Sequence, residues 1–405
     1  MDGRARRRLI PKERTMNELP RLEVPGGIDA DGHVLEPPDL WERYLEPRHR
    51  ARALRIRKDE QGLEYLEIDG RPSKLIRKGM PAGLGAMDRR GGIVYEREAK
   101  TGLAYVDNAP LGAMDPAERL ERLDQENLER VFLYPTLSVL WVAECEDEEI
   151  TQAYLRAYNR WIVDFCADSG GRLIPIAQLS LGDPEAAEAE LRRAARDGVR
   201  GVWVPPFVWT RKPVGHRDHH RVFAAAEECG LPLGLHPCFE PKWAAPGRFG
   251  EMTSARYAFM LNVFAPDAVR HAFTSLFQYG VFELFPELRV IVLESGASWI
   301  GYWLDRMDAV YESPQGAVVR GCLKEKPSFY FKRQGWISAD PDETTLAGMI
   351  PRVGEDRFFW ASDFPHPDHP PDYLPNLMKI VRELPESARA GFLGRNVLRA
   401  YRIED

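Results

Sequence analysis

Short runs of apolar residues recur along the chain, separated by segments whose apolar positions fall every three to four residues. The β-like runs cover 27–34, 130–135, 173–179, 200–206, 231–237, 289–295, 328–333 and 358–364. The intervening segments predict helices. DPAERLERLDQENLE, from Asp115, has a Pro at the first helical position and heptad-like leucines. EDEEITQAYLRAYNRWIVDFCADSG and DPEAAEAELRRAARDG each open on acids and close on Gly, and APDAVRHAFTSLFQYGVFELFP completes the set. Eight strands alternating with helices point to a parallel sheet. A distorted (β/α)8 TIM barrel fits that count, with an open doubly wound sheet as the competing architecture.

A barrel takes about 250 residues, and this chain has 405. Most of the surplus is 37–114, a polar stretch punctuated by Gly and Pro after the first strand, and 238–261 is a second excursion. Both follow strand ends, where barrel enzymes place substrate loops. The expected organisation is a flexible arm over 1–26 and a single domain over 27–405, with 37–114 as an inserted cap. The arm is basic but has no apolar h-region, so it does not read as a secretory signal, and Met16 is an alternative start.

A hydrophobic content of 44% gives the chain a real core, while a net charge of −7 gives no electrostatic case for nucleic acid or an anionic membrane. No apolar run approaches the roughly 20 residues of a membrane span. Five cysteines without CxxC spacing suit free thiols in a reducing cytoplasm better than disulfides or a zinc knuckle.

The stretch GIDADGHVLEPPDLW, from Gly27, changes the picture. Asp29, Asp31 and His33 alternate, so on a regular strand they share a face. Burying such groups unpaired costs several kcal/mol each, which leaves either a solvent-facing strand or a bound cation. Other strand ends choose between these: His236 in GLHP, Glu294 in VLESG, and Asp363 and His366 in FWASDFPHPD each follow an apolar run. Polar groups at the carboxyl ends of barrel strands form the active site, and nitrogen and oxygen donors without thiolate suit zinc, iron or manganese.

From about Gly27 onward these residues resemble the amidohydrolase superfamily, in the branch that includes aminocarboxymuconate semialdehyde decarboxylase and the resorcylate-type decarboxylases. YGVFELFPELRVIVLESGASWIGYWLDRMD, from Tyr279, is similar to the family's GVFERFPDLRVV segment, and the SDFPH of FWASDFPHPD to its strand-8 motif. The resemblance places the family's strand-1 His-x-His on Asp31 and His33, its strand-5 histidine on His236 and its strand-8 aspartate on Asp363. The first ligand is therefore an aspartate here. Glu294 stands where the decarboxylases carry a catalytic histidine, which weighs against decarboxylation.

The expected function is thus metal-dependent hydrolysis of an amide, ester or thioester of a small organic acid. One or two divalent ions, zinc first with iron or manganese as alternatives, would be held by Asp31, His33, His236, Glu294 and Asp363. Asp363 and Glu294 would move protons, and His366 would orient Asp363 or donate to the oxyanion. The alternatives are non-oxidative decarboxylation of an aromatic or unsaturated acid, and an inactive barrel used for binding. The resemblance also implies a homodimer. Glu36 reads as a turn residue beside Pro37 and Pro38, HRDHH from His216 as a solvated loop, and His271 as half-buried on its helix. The loop aromatics from Trp203 to Trp303 read as helix packing, with two or three left to line a substrate pocket.

Overall fold

A computed structural model describes residues 19–87, 104–244, 255–367, 369 and 371–404. Eight strands follow one another in sheet order: β1 (Gly27–Val34), β2 (Leu128–Pro135), β3 (Leu173–Gln178), β4 (Gly201–Val204), β5 (Leu233–Leu235), β6 (Val290–Val292), β7 (Gly335–Ala339) and β8 (Phe358–Trp360). Every neighbouring pair is parallel. The sheet curls into a nearly closed (β/α)8 barrel, and β1 meets the segment after β8 through His33 N–H to Phe364 O (2.6 Å) and Asp363 N–H to Asp31 O (2.9 Å). The seam of the barrel therefore lies among the candidate ligands.

Alternation along the strands sorts the core into two layers. Phe132, Ile174, Ile176, Ile291 and Phe359 fill the barrel, whereas Val131, Leu133, Leu233, Leu235, Val290 and Val292 pack outward against helices. Helix starts follow their sequence signals. Asp115, Asp147 and Asp183 cap helices Pro116–Glu126, Glu148–Cys166 and Pro184–Asp197, each accepting two backbone N–H groups, and Gly198 ends the last at φ 104°.

The run expected as a strand at 328–333 is instead part of helix Pro327–Gln334, and β7 is the following GWISA. The aromatic Phe-Tyr-Phe has strand character by composition. However, Pro327, Tyr330, Phe331 and Gln334 are the buried positions, an i, i+3, i+4, i+7 helical face with proline at its first position.

The segment expected as a cap carries its own antiparallel sheet, Arg55–Lys58, Glu64–Ile68 and Arg71–Pro72. It is tied to the barrel by Glu144, which accepts from Lys74 N (2.6 Å) and Leu75 N (3.1 Å), and Met87 N–H reaches Pro365 O (3.2 Å) beside the seam. Residues 1–18 of the arm and 245–254 of the second excursion lie outside the described residues. Leu22 is docked, 1% exposed, with its N–H on Glu126 O (2.9 Å). Two histidine expectations fail. His219 is 1% exposed, its ring N–H satisfied by Val214 O (2.8 Å), so the HRDHH loop is not wholly solvated. His271 is exposed rather than half-buried. Among the described residues no helix is long and apolar enough to cross a membrane.

Candidate metal centre

β1 does not run regularly. Its pairing with β2 slips between Asp29 and Gly32, inserting an extra residue. Ile28 and Ala30 therefore point into the barrel deep down, while Asp31 and His33 point into its mouth. Asp29 is left on the opposite face, which corrects the expectation that all three polar side chains share one. Its carboxylate accepts from Ser362 Oγ (2.6 Å) and Ser362 N (2.9 Å), pinning the end of β8 next to Asp363. Burial pushes the Asp29 carboxyl up to about 6, with Ser362 opposing the rise.

The mouth brings the remaining predicted residues together. One ligand atom from each of Asp31, His33, His236 and Glu294 lies within 4.8 Å of the others, and the same holds for His33, Glu294, Asp363 and His366. His33 Nε2 stands 3.3 Å from Asp31 Oδ1, 3.2 Å from Asp363 Oδ1 and 3.3 Å from His236 Nε2. His236 Nε2 is 3.4 Å from Asp31 Oδ2 and 3.0 Å from Glu294 Oε2.

Tautomers follow from the outer contacts. His33 Nδ1 faces Pro135 O at 2.8 Å and His236 Nδ1 faces Pro237 O at 2.6 Å, so each Nδ1 carries a hydrogen that the carbonyl accepts. Both Nε2 lone pairs then aim at the cluster centre. Neither oxygen of the fully buried Asp31 has a hydrogen bond among the described residues. Two lone pairs and several carboxylate oxygens repel one another unless positive charge sits among them, and this donor set fits a divalent cation. The titrations express the same demand. Burial works to raise the Asp31 carboxyl, but His236 and His33 outweigh it and hold it at about 2. Burial works against charge on His33, yet Asp31 and Glu294 raise its pKa above the usual imidazole value.

Glu294 and Asp363 share a backbone peculiarity, left-handed φ values of 37° and 54°. Non-glycine residues pay roughly 1–2 kcal/mol there, a strain tolerated where function needs it. The turn breaks strand alternation and swings Glu294, which is 18% exposed at its side chain, toward His236. Ser338 of β7 accepts the Glu294 N–H at 3.2 Å. His366 Nδ1 lies 2.8 Å from Asp363 Oδ1, and its Nε2 meets Thr136 Oγ1 (3.0 Å), with its ring 4.1 Å from that of His33. Its pKa is driven well below the usual value, by burial first and then by His33 and His236. Glu36 is neither a ligand nor an ordinary turn residue. Fully buried, it accepts from Thr136, Leu137 and Ser138 N–H (3.2, 2.8 and 3.3 Å), capping helix Leu137–Trp141.

The amidohydrolase family profile matches residues 28–403. The chain belongs to the amidohydrolase family. A curated relative, the gamma-resorcylate decarboxylase of Rhizobium radiobacter, is 24% identical over 271 residues, covering 63% of this chain and 79% of that protein. An amidohydrolase structure from Mycobacterium avium subsp. paratuberculosis superposes with a TM-score of 0.78 at 21% identity, over 94% of this chain and 98% of that one. The 5-carboxyvanillate decarboxylase of Novosphingobium aromaticivorans, solved with bound manganese, gives 0.64 at 18% identity, over 95% and 100%. These relatives overturn the expectation of hydrolysis, because the gamma-resorcylate and 5-carboxyvanillate enzymes that the chain resembles are decarboxylases. Weighing Glu294 against decarboxylation gave too much to one residue type: a carboxylate can fill a proton-handling place in the mouth as an imidazole can.

Sequence reasoning missed most of the neutral part of the site: of it only Trp203 was named, as a loop aromatic, whereas it lies on β4. Tyr134 stacks on His236 (ring centroids 5.5 Å apart), Trp203 lies 5.2 Å from it, and Thr136 and Ser338 support His366 and Glu294. Nothing in their sequence context separates them from ordinary core residues. His369, whose Nε2 is 3.7 Å from Asp363 Oδ2, was legible as one more histidine in the same short motif.

Proposed function

We propose that this amidohydrolase is a metal-dependent, non-oxidative decarboxylase of a hydroxylated aromatic carboxylic acid. The observation carrying this reading is the cluster of Asp31, His33, His236, Glu294 and Asp363 in a barrel whose curated relatives include a gamma-resorcylate decarboxylase. A divalent cation held by Asp31, His33, His236 and Asp363 would anchor the substrate carboxylate and neutralise its charge. With three carboxylates near two imidazoles, a hard ion such as manganese is the expected metal, ahead of zinc.

The chain's own residues supply the proton. Asp363 in its acid form protonates the ring carbon that bears the carboxylate. The carbon–carbon bond to that carboxylate then breaks, its electron pair restoring the aromatic ring as carbon dioxide leaves. Asp363 remains as a carboxylate beside the His366 ring and takes its next proton from water, so one proton is consumed per turnover. Glu294, partly open to the mouth, relays that proton or joins the ligand shell.

Residues 27–405 as one domain, with 37–114 as a substrate-setting cap, belong to the same reading, supported by the contact of Met87 with Pro365. A homodimer and a cytoplasmic setting complete it; the latter is supported by five unpaired cysteines.

The test is carbon dioxide release from a panel of hydroxybenzoates and muconate-like acids. The chain is first stripped by chelator, then reloaded with manganese, zinc or ferrous iron. Metal-dependent release is expected from at least one hydroxybenzoate. A chain with stoichiometric metal that releases none, or one equally active after verified stripping, overturns the proposal.

A further inference from the structure

Beside the charged cluster, the barrel mouth holds two buried neutral groups without hydrogen-bond partners among the described residues. Gln178 ends β3 with its side chain on the inward face, following Ile174 and Ile176. It is fully buried, and neither its Nε2 nor its Oε1 has a hydrogen bond among the described residues. Trp203 pairs with it in register on β4, is equally buried, and its Nε1–H likewise has no hydrogen-bond partner among the described residues. Buried amide and indole groups nearly always find partners, because leaving them unmade is costly.

Both side chains rest on rigid backbone. Asn159 grips Gln178, accepting from its N–H (2.8 Å) and donating to its O (3.0 Å). Trp203 faces Gly234 of β5, where an added Cβ would lie 3.0 Å from the Trp203 Cβ, so the glycine makes room for the indole. Gln178 borders a small cleft whose other walls include Thr151 and Leu155 of helix Glu148–Cys166 with Leu181, Phe207 and Trp209. On its other side, Gln178 leads through Trp203 to His236, 5.2 Å from the indole.

We propose that Gln178 and Trp203 form the seat for a ring hydroxyl of the substrate and set the preference for hydroxylated acids. A hydroxyl carries one donor and two lone pairs. Its O–H donates to Gln178 Oε1 while its oxygen accepts from Trp203 Nε1–H or Gln178 Nε2–H. A second carboxylate would satisfy only the donors and leave the amide oxygen facing negative charge. The assignment rests on the decarboxylase reading and names which part of the site reads the ring.

The test is calorimetric binding of 2,6-dihydroxybenzoate, the monohydroxybenzoates and benzoate to the manganese-loaded full chain, together with KM and kcat for the acids that turn over. In the wild type, at least one hydroxylated acid binds 10-fold or more tighter than benzoate. Gln178→Leu shrinks that preference by about 10- to 100-fold, raises KM more than it lowers kcat, and leaves benzoate affinity within about 3-fold. Trp203→Phe, which keeps a ring and removes the N–H, gives a smaller loss in the same direction and guards against misfolding of the first variant. If the wild type turns over hydroxybenzoates and both variants keep its preference, the seat is refuted while the decarboxylase reading stands. If the wild type neither binds nor decarboxylates any hydroxyaromatic acid, the reading fails and the seat fails with it.

Discussion

The two sides of the barrel mouth are built on different principles. β1, β5, β6 and β8 end in Asp31, His33, His236, Glu294 and Asp363, and the other four each place a ligand atom within 4.8 Å of one on His33. β2, β3 and β4 end in Tyr134, Gln178 and Trp203, neutral groups on aromatic and aliphatic packing. The charged side needs a cation to be stable as arranged, and the neutral side needs a hydrogen-bonding molecule. One side can thus hold the reacting carboxylate while the other reads the ring. Two contacts stitch them together: Glu36, at the end of β1, caps the helix after β2, and His366, after β8, touches Thr136.

The sharpest way to break this division is to remove a ligand. Asp31→Ala and His236→Ala should lose bound metal after dialysis, read by elemental analysis, and lose at least about 1000-fold in carbon dioxide release. Full activity with substoichiometric metal would dissolve the charged side as a metal centre. Asp363→Asn separates holding the metal from moving the proton. Its kcat should fall about 100- to 10,000-fold, while much of the metal stays bound; an unchanged kcat would move proton transfer elsewhere, with Glu294 next in line.

At the seam, burial pushes the Glu36 carboxyl up to about 7 from its ordinary 4.5, with the N–H groups of Leu137, Thr136 and Ser138 opposing the rise. A raised carboxyl means the folded chain keeps a proton that the unfolded chain has released. That contribution to stability is full below pH 4.5 and fades as pH climbs through 7. Glu36→Gln stays neutral throughout. Relative to wild type it should therefore gain stability with rising pH, by about 3 kcal/mol across that window, read by urea unfolding at pH 5 and 7.5. Parallel stability curves for the two proteins would remove Glu36 from the seam. The other stitch is expected to be weaker. His366→Gln and Thr136→Val should each lower kcat about 10- to 100-fold with metal content unchanged. Equal loss of metal and activity would make His366 a ligand instead.

The smallest effect belongs to the strained turn. Glu294→Gly relieves the left-handed backbone, so its thermal stability should equal or exceed that of wild type by up to about 1 kcal/mol while turnover falls. A destabilisation larger than that would show that the Glu294 carboxylate holds the fold together rather than serving chemistry.

Much of the charged side was legible in sequence. Asp31, His33, His236 and Asp363 each follow an apolar run, and a polar group at the end of a buried strand stands out against its neighbours. The neutral side was hidden for the converse reason. Tyr134 looks like a core residue, Trp203 was one of several loop aromatics with no mark to single it out, and an isolated glutamine such as Gln178 carries no pattern. β7 was misplaced because the aromatics of 328–333 outweighed their helical spacing, and Asp29 was put on the wrong face because a bulge leaves no mark in the one-letter alternation.

By itself, then, the sequence determined the barrel, most of its strands and the polar strand ends, because hydrophobic periodicity and strand-end chemistry are local properties. Tertiary structure alone decided which polar groups meet. The slip in β1, the left-handed turns at Glu294 and Asp363 and the hydrogen bonds closing β1 onto the end of β8 bring together atoms more than 200 residues apart. Such contacts depend on backbone paths through three dimensions, which no stretch of sequence carries on its own.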